Sequence, residues 1–197
     1  MYKSIWAVIF LFISGCVSFS NLSPSGNYAD IKNDSIIVLG VHPKYRLHIF
    51  KGENAGNKWL RDTSSVTLNT YPEKGYIVAK LPNRVGGKSY GIGGILPSGI
   101  GGELFFPCEG SNTMVFDAPP GSVVYIGDIV LNADESSYKY EVSMDFTSAK
   151  QHIKTMYPLL ADRLTSQNPM QKELANISCE IQPASAPDIP LIFITGY

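Results

Sequence analysis

The clearest indication of a β fold is the stretch Tyr138-Lys139-Tyr140-Glu141-Val142-Ser143-Met144-Asp145-Phe146. In it, five apolar residues alternate strictly with four polar ones. A period of two places every second side chain on one side of a β-strand, so one face of this strand is buried and the other is in water. After Phe146 the period changes, and the chain is expected to pass there from a β region into a helical one.

The helical region is marked by apolar residues that recur every three or four positions, as on one face of an α-helix. These residues are Ala149, Ile153, Met156, Leu160 and Leu164. Asp145 or Thr147 can cap the start of the helix, because either side chain can accept a hydrogen bond from a free backbone amide. Pro158 has no amide hydrogen, which predicts a kink or two consecutive short helices near Tyr157.

The region before this strand consists of short apolar runs separated by turn residues. Ile36–Val41 and Val123–Leu131 are two of these runs. Seven or eight such strands predict a mainly β domain over residues 35–146, built as an antiparallel β-sandwich.

Residues 147–197 are expected to belong to the same domain, as a helical segment packed on the sandwich and a C-terminal edge strand. Within them, Asn168-Pro169 predicts a further short helix that ends near Ala175, because proline is favoured at the first helical position. The edge strand is predicted over residues 189–194, which are unusually apolar for a terminus.

Residues 1–15 have the features of a signal peptide. Lys3 supplies a positive charge, and the apolar run Ile5–Ile13 is too short to span a bilayer as a helix. The run ends in Ile13-Ser14-Gly15-Cys16, which resembles the lipobox of bacterial lipoproteins. An ordinary secretory signal that happens to contain a cysteine is the alternative.

The lipobox resemblance implies cleavage before Cys16 and acylation of that residue, and therefore a lipid anchor in a membrane. Val17 follows, where an aspartate would retain a lipoprotein in the inner membrane, so the resemblance implies the outer membrane and its periplasmic face. Residues 16–34 are rich in serine, asparagine and glycine, and they are expected to form the lipidated cysteine and a flexible tether.

Two further cysteines, Cys108 and Cys179, would then lie in an oxidising compartment, where they are expected to pair. A bond between them would contribute roughly 4 kcal/mol through the entropy of loop closure. Two buried free thiols are the alternative. Neither cysteine has a neighbour at metal-ligand spacing, so we predict no metal site and no cofactor.

The segment from residue 86 to residue 102 holds eight glycines in 17 positions. We expect either a long hairpin or loop whose glycines adopt positive φ angles, or a mobile apolar loop that docks a partner or touches lipid. In the second case the candidate binding residues are Tyr90, Ile92, Ile95, Leu96 and Ile100.

The sequence gives only weak signals for a metal site, a cation site or nucleic-acid binding. His42, His48 and His152 lack metal-ligand spacing and are expected at the surface, with His48 pointing into solvent. Asp128 and the pair Asp134-Glu135 could bind a cation, or they could form a solvent-exposed turn. The 16 Lys and Arg residues against 17 Asp and Glu argue against nucleic-acid binding, which needs a cationic surplus.

The middle of the chain is similar to a group of uncharacterised bacterial lipoproteins with a transthyretin-like or carboxypeptidase-regulatory-like β-sandwich. The likeness lies in the turn Ala118–Gly121, the strand Val124–Ile129 and the helix Ala149–Ala161. It implies a fold and a compartment but no activity.

We therefore expect a lipid-anchored envelope protein that is not an enzyme and serves as a binding or scaffolding module. Its partners would be the membrane, through Cys16, and an envelope protein. An accessory lipoprotein of a secretion or surface machine is one alternative. A periplasmic hydrolase, whose catalytic residues converge only in space, is the other.

Overall fold

The computed structural model describes residues 20–28, 30–82, 89–97, 105–133 and 138–179. Within them the chain forms ten strands, one α-helix and one 3-10 helix. In chain order the elements are β1 (Asp34–His42), β2 (Arg46–Ala55), β3 (Lys58–Thr70), β4 (Tyr76–Pro82), β5 (Ser89–Leu96), β6 (Asn112–Phe116), β7 (Val123–Ala133), β8 (Tyr138–Ser143), α1 (Phe146–Met156), the 3-10 helix (Pro158–Arg163), β9 (Leu164–Ser166) and β10 (Met170–Leu174).

The first sheet has the order β4-β1-β7-β8, and β9 also pairs with β7. Strand β1 lies antiparallel to β4 and parallel to β7. Its residues from Ile36 to Val41 are all buried, because both faces of this sheet are covered. An apolar run without alternation is typical of such a strand.

The second sheet has the order β10-β3-β2-β5-β6 and closes into a five-stranded barrel. Closure depends on β10, which runs antiparallel to β6 on one side and parallel to β3 on the other. The largest cluster of buried residues takes side chains from both sheets, among them Leu39 and Ile126 of the first and Ile49 and Phe116 of the second.

Helix α1 and the 3-10 helix cover the other face of the first sheet. Ala149, Ile153 and Leu160 pack there with residues of β1, β4 and β7. The Asp145 side chain caps α1, accepting a hydrogen bond of 3.0 Å from the Ser148 amide. The predicted kink is confirmed, because α1 ends at Met156 and the 3-10 helix begins at Pro158. None of the described helices combines the length and apolar character needed to cross a bilayer.

The N-terminal segment from Ser20 onward lies against the first sheet, in part of the region where the flexible tether is predicted. The Leu22 amide donates a hydrogen bond of 2.7 Å to the Val78 carbonyl of β4, and Ile31 is buried. The Tyr157 hydroxyl donates a hydrogen bond of 3.0 Å to the Leu22 carbonyl. The segment therefore covers the edge of β4, which would otherwise expose unpaired backbone groups.

The prediction of a mainly β fold is confirmed. The structure does not show the predicted antiparallel sandwich, since three strand pairs are parallel and one sheet closes on itself. The short helix predicted after Asn168 is wrong, because β10 occupies that region and is held by the ladders of β3 and β6. The edge strand predicted over residues 189–194 lies outside the described residues.

The glycine-rich segment is the main correction. Tyr90, Ile92 and Ile95 lie in strand β5 with their side chains buried in the main core, so they offer a partner no surface. Leu96 is half-buried at the end of that strand, and Ile100 lies outside the described residues.

The glycines of β5 provide space rather than positive φ angles. A Cβ atom on Gly91 would lie 2.7 Å from Cη2 of Trp59, and one on Gly93 would lie 2.3 Å from Cδ2 of Phe50. The glycines thus leave room for large rings on the face of β5 opposite the main core, where Trp59 is fully buried.

We expect Gly91→Ala to lower the free energy of unfolding by about 2 kcal/mol, the usual cost of overpacking a core. The Trp59 ring is fully buried and its Nε1 donates a hydrogen bond of 2.9 Å to Ser89, so the ring cannot move aside without further loss. Urea unfolding monitored by far-UV circular dichroism provides the measurement, because it can also follow variants that lack Trp59.

A double-mutant cycle tests the cause. Trp59→Phe removes the ring atoms nearest to Gly91, so the Gly91→Ala/Trp59→Phe variant should lose less stability than the sum of the two single variants. Asn54→Ala, an exposed change in β2, serves as control. Additive losses would show that the Trp59 contact is not the reason for glycine at this position.

Candidate functional site

An open groove lies at the C-terminal end of β1, between the β1–β2 and β3–β4 turns. We call it the β1-end groove. Its volume is about 650 Å³, and its lining residues are Val41, His42, Lys44, Pro72, Glu73, Lys74 and Gly75.

The β3–β4 turn forms one wall of the groove. Glu73 and Tyr76 form a bridge through two backbone hydrogen bonds of 2.8 and 3.0 Å. Lys74 and Gly75, the two residues between them, both have positive φ angles, of 50° and 86°. This is the geometry of a two-residue hairpin, in which glycine is favoured because it has no Cβ atom. The Gly75 carbonyl then accepts a hydrogen bond of 2.9 Å from the Val41 amide, which fixes the turn to β1.

Three of the seven residues that line the groove are basic. His42, Lys44 and Lys74 are exposed, and Glu73 is the one carboxylate in the lining. No carboxylate of the described residues lies within ion-pair distance of either lysine. The surface therefore favours an anion over a cation.

A buried carboxylate lies behind the groove. Asp128 of β7 is 8% exposed, and its Oδ2 accepts a hydrogen bond of 2.7 Å from the Tyr125 hydroxyl. The same hydroxyl accepts a hydrogen bond of 2.9 Å from the Asp145 amide at the start of α1. This relay of Asp128, Tyr125 and Asp145 ties the helix to the sheet.

A β-bulge and a glycine place the carboxylate there. The register of β7 against β1 shifts between Tyr125 and Asp128, and Gly127 within the bulge has a φ of 117°. Oδ1 of Asp128 has no hydrogen-bond partner among the described residues, and it lies where a Cβ of Gly40 would be, at 1.8 Å. Gly40 is therefore required for the position of Asp128.

Aromatic rings separate this carboxylate from the groove. Tyr76 lies opposite Gly40 in the sheet, and its ring is 4.4 Å from that of His152 on α1. Burial, followed by the charges of Asp128 and Asp145, raises the pKa of Tyr76. Burial and then the charge of Lys74 lower the pKa of His152. Both shifts favour neutral rings.

The pKa of Tyr125 is raised mainly by burial and next by its hydrogen bond to Asp128. The phenol therefore stays protonated and donates to the carboxylate. The relay and the ring pair lie behind the basic rim, where Lys74 Nζ donates a hydrogen bond of 3.3 Å to Sδ of Met156 on α1. Such an arrangement suits binding of an anion by the rim, and it offers no activated nucleophile.

The predicted cation site does not form from described residues. Asp128 is buried rather than in a solvent-exposed turn. Asp134 and Glu135 lie outside the described residues. In the part of the chain that is described, no three His, Cys, Asp or Glu side chains are arranged to hold a metal ion.

The predicted disulfide is confirmed. Cys108 and Cys179 are bonded, with Cα atoms 5.1 Å apart. The bond fastens the chain after β10 to the loop before β6, where the Glu109 amide also donates to the Ile177 carbonyl. Cys16 lies outside the described residues.

A second cavity of about 250 Å³ opens between β8 and β10. Its lining has no charged side chain and consists of Met114, Val142, Met144, Asn168, Pro169, Met170 and Gln171. It resembles a packing gap between the sheets more than a binding site. The β1-end groove is therefore the better candidate.

His48 corrects the expectation of a surface histidine, because it is 8% exposed. It lies on β2 opposite Asn69, with the ring of Phe106 at 6.2 Å. Burial and then the charge of Arg46 lower its pKa to about 4, against a smaller opposing effect of Asn69. The folded protein therefore holds this imidazole neutral. His42 is exposed as predicted, and His152 is half-buried.

We expect stability to fall as the pH drops through the range between 6.5 and about 4. In that range His48 is protonated in the unfolded chain and remains neutral in the folded protein. The free energy of unfolding therefore decreases with decreasing pH. Between pH 7.5 and pH 5 this loss is about 2 kcal/mol. Urea unfolding at the two pH values measures it.

His48→Gln should remove this part of the pH dependence, whereas the matched variant His42→Gln at the exposed position should keep it. An equal pH dependence in the wild type and His48→Gln would contradict the assignment.

The relay can be tested by Tyr125→Phe, which leaves the buried carboxylate of Asp128 without its hydroxyl donor. We expect a loss of about 2 to 3 kcal/mol, the cost of an unpaired buried charged group. Tyr157→Phe is the matched control, because its hydroxyl donates to a neutral carbonyl, and it should cost about 1 kcal/mol. Equal losses, measured by urea unfolding, would argue against the relay.

The sequence analysis missed the groove because its lysines come from two turns about 30 positions apart, and only the pairing of β1 with β4 brings these turns together. The available signal was a lysine in each of the turns that flank β1 and β4. No family model, curated protein or solved structure matches this chain. Its function has to be inferred from its own residues and geometry.

Proposed function

We propose that this protein is a lipid-anchored protein of the cell envelope that acts without catalysis, as a binding or scaffolding module. In this proposal Cys16 carries the lipid, and the domain faces the periplasm from the outer membrane. The observation that carries the proposal is the sequence Ile13-Ser14-Gly15-Cys16 directly after an apolar run of signal-peptide length.

The disulfide supports an extracytoplasmic compartment. Bonds of this kind persist in oxidising surroundings and are rare in the cytosol, where thiols are kept reduced. Cys108 and Cys179 are the two cysteines of the chain other than Cys16, and they are paired with each other. This leaves Cys16 as the one cysteine available for lipid.

The geometry at the β1-end groove supports binding rather than catalysis. Lys44 and Lys74 are exposed and have no carboxylate partner among the described residues, which supports the binding of an anion. Behind the rim, the pKa of Tyr76 is raised and that of His152 is lowered, and both shifts keep the ring neutral. The groove is therefore the proposed binding surface of the module.

The experiment is to express the full chain in a Gram-negative bacterium with an alkyne analogue of palmitate, and to follow the label and the membrane fraction. The wild type should be labelled and should remain in membranes after a high-salt wash. Cys16→Ser should lose the label and be released, because no covalent lipid then holds it.

The matched control is the Cys108→Ser/Cys179→Ser variant, which should keep both the label and the membrane location because it retains Cys16. A wild-type protein that carries no label would disprove the anchor, whatever its location.

A further inference from the structure

We infer that the β1-end groove faces the membrane that holds the lipid anchor and contacts the headgroups of anionic phospholipids. The inference rests on the proposed function, because it requires a lipid at Cys16. It names the partner of the groove as a lipid surface, on the basis of where the chain leaves the domain and of the charges found there.

The chain is fixed to the domain from Asn21 onward. The Asn21 side chain donates a hydrogen bond of 2.8 Å to the Tyr71 carbonyl and accepts one of 3.1 Å from the Val78 amide. The Leu22 amide then bonds to the Val78 carbonyl. Tyr71 directly precedes Pro72, which lines the groove, so Asn21 lies beside the groove.

The distance to the anchor is therefore short. Five Cα-to-Cα steps lead from Asn21 to Cys16, and a fully extended chain spans at most about 3.6 Å per step. The lipid is thus attached within about 18 Å of Asn21. This distance allows the β1-end groove to contact the membrane surface.

The charges at this end of the domain complement an anionic surface. The lining of the groove carries Lys44 and Lys74 against the single carboxylate of Glu73, an excess of one positive charge, and Arg46 lies at the start of β2. The whole chain has a formal net charge of −1, so this excess is a local feature. A basic surface close to a membrane is attracted to anionic lipids within a Debye length, about 8 Å at physiological salt.

Two other lysines among the described residues are neutralised by ion pairs. At the opposite end of β1, Lys80 is neutralised by an ion pair of 3.2 Å with Asp34. On the barrel, Lys58 is paired with Glu173 at 3.2 Å. Near the groove, half-buried Tyr45 and Tyr71 add aromatic side chains of the kind found at membrane interfaces.

The test uses the mature lipidated protein in vesicles of phosphatidylcholine, with or without phosphatidylglycerol. The measured quantity is the rate at which each lysine amine is acetylated, read by mass spectrometry. We expect Lys44 and Lys74 to react about fivefold more slowly when phosphatidylglycerol is present. Lys58 and Lys172, on the barrel, should react equally in both kinds of vesicle, and high salt should remove the protection.

A charge-reversal variant tests the cause while the anchor stays in place. In Lys44→Glu/Lys74→Glu, His42 remains in the groove as a reporter, and its modification by diethyl pyrocarbonate should no longer be slowed by phosphatidylglycerol. Lys150→Glu/Lys154→Glu changes the charge equally on the exposed side of α1 and should keep the protection of His42.

The outcomes separate the two proposals. A protein without lipid that does not associate with either kind of vesicle would refute the anchor. A lipidated, vesicle-bound protein whose Lys44 and Lys74 react equally in both kinds would overturn the orientation and leave the anchor intact. Protection by inorganic phosphate in pure phosphatidylcholine vesicles would assign the groove to a soluble anion and would also overturn the inference.

Discussion

The parallel pairing of β1 with β7 is the constraint on which the rest of the structure depends. Strand β1 is buried on both faces, and it carries Gly40 at the point where the bulge in β7 turns Asp128 toward α1. A side chain at Gly40 would collide with the Asp128 carboxylate, so strand pairing, bulge and glycine form one unit. The β1-end groove is built on this unit, because its walls are the turns that follow β1 and precede β4.

The relay of Asp128, Tyr125 and Asp145 extends this constraint to the helix. Because Tyr125 bonds to both the sheet carboxylate and the amide at the start of α1, the position of the helix is coupled to the bulge. A buried network of this kind is stable only when its members are satisfied, so removal of the central hydroxyl affects both elements.

Local signals predicted the elements, whereas pairings distant in sequence decided the architecture. The alternation before Phe146 and the stripe after it correctly indicated strand, cap and kink, since these depend on neighbouring residues. Barrel closure depends on β10, where the ladders of β3 and β6 override a local helix signal. Likewise, Gly91 looked like a turn residue because the partner that requires it, Trp59, lies 32 positions away. His48 was misplaced because burial of both sides of β2 cannot be recognised from that strand alone.

In the proposed arrangement, the groove binds the membrane only when the lipid anchor holds the domain close to it. The two lysines of the groove would give an untethered domain only weak binding to an anionic surface, since each basic residue contributes about 1 kcal/mol. A lipid attached within about 18 Å of Asn21 makes that contact intramolecular and so raises its effective concentration. The anchor then supplies the attachment, and the charges determine which end of the domain faces the membrane. Because Asn21 is bonded to the strand that borders the groove, the anchor is attached within reach of the place where the charges lie.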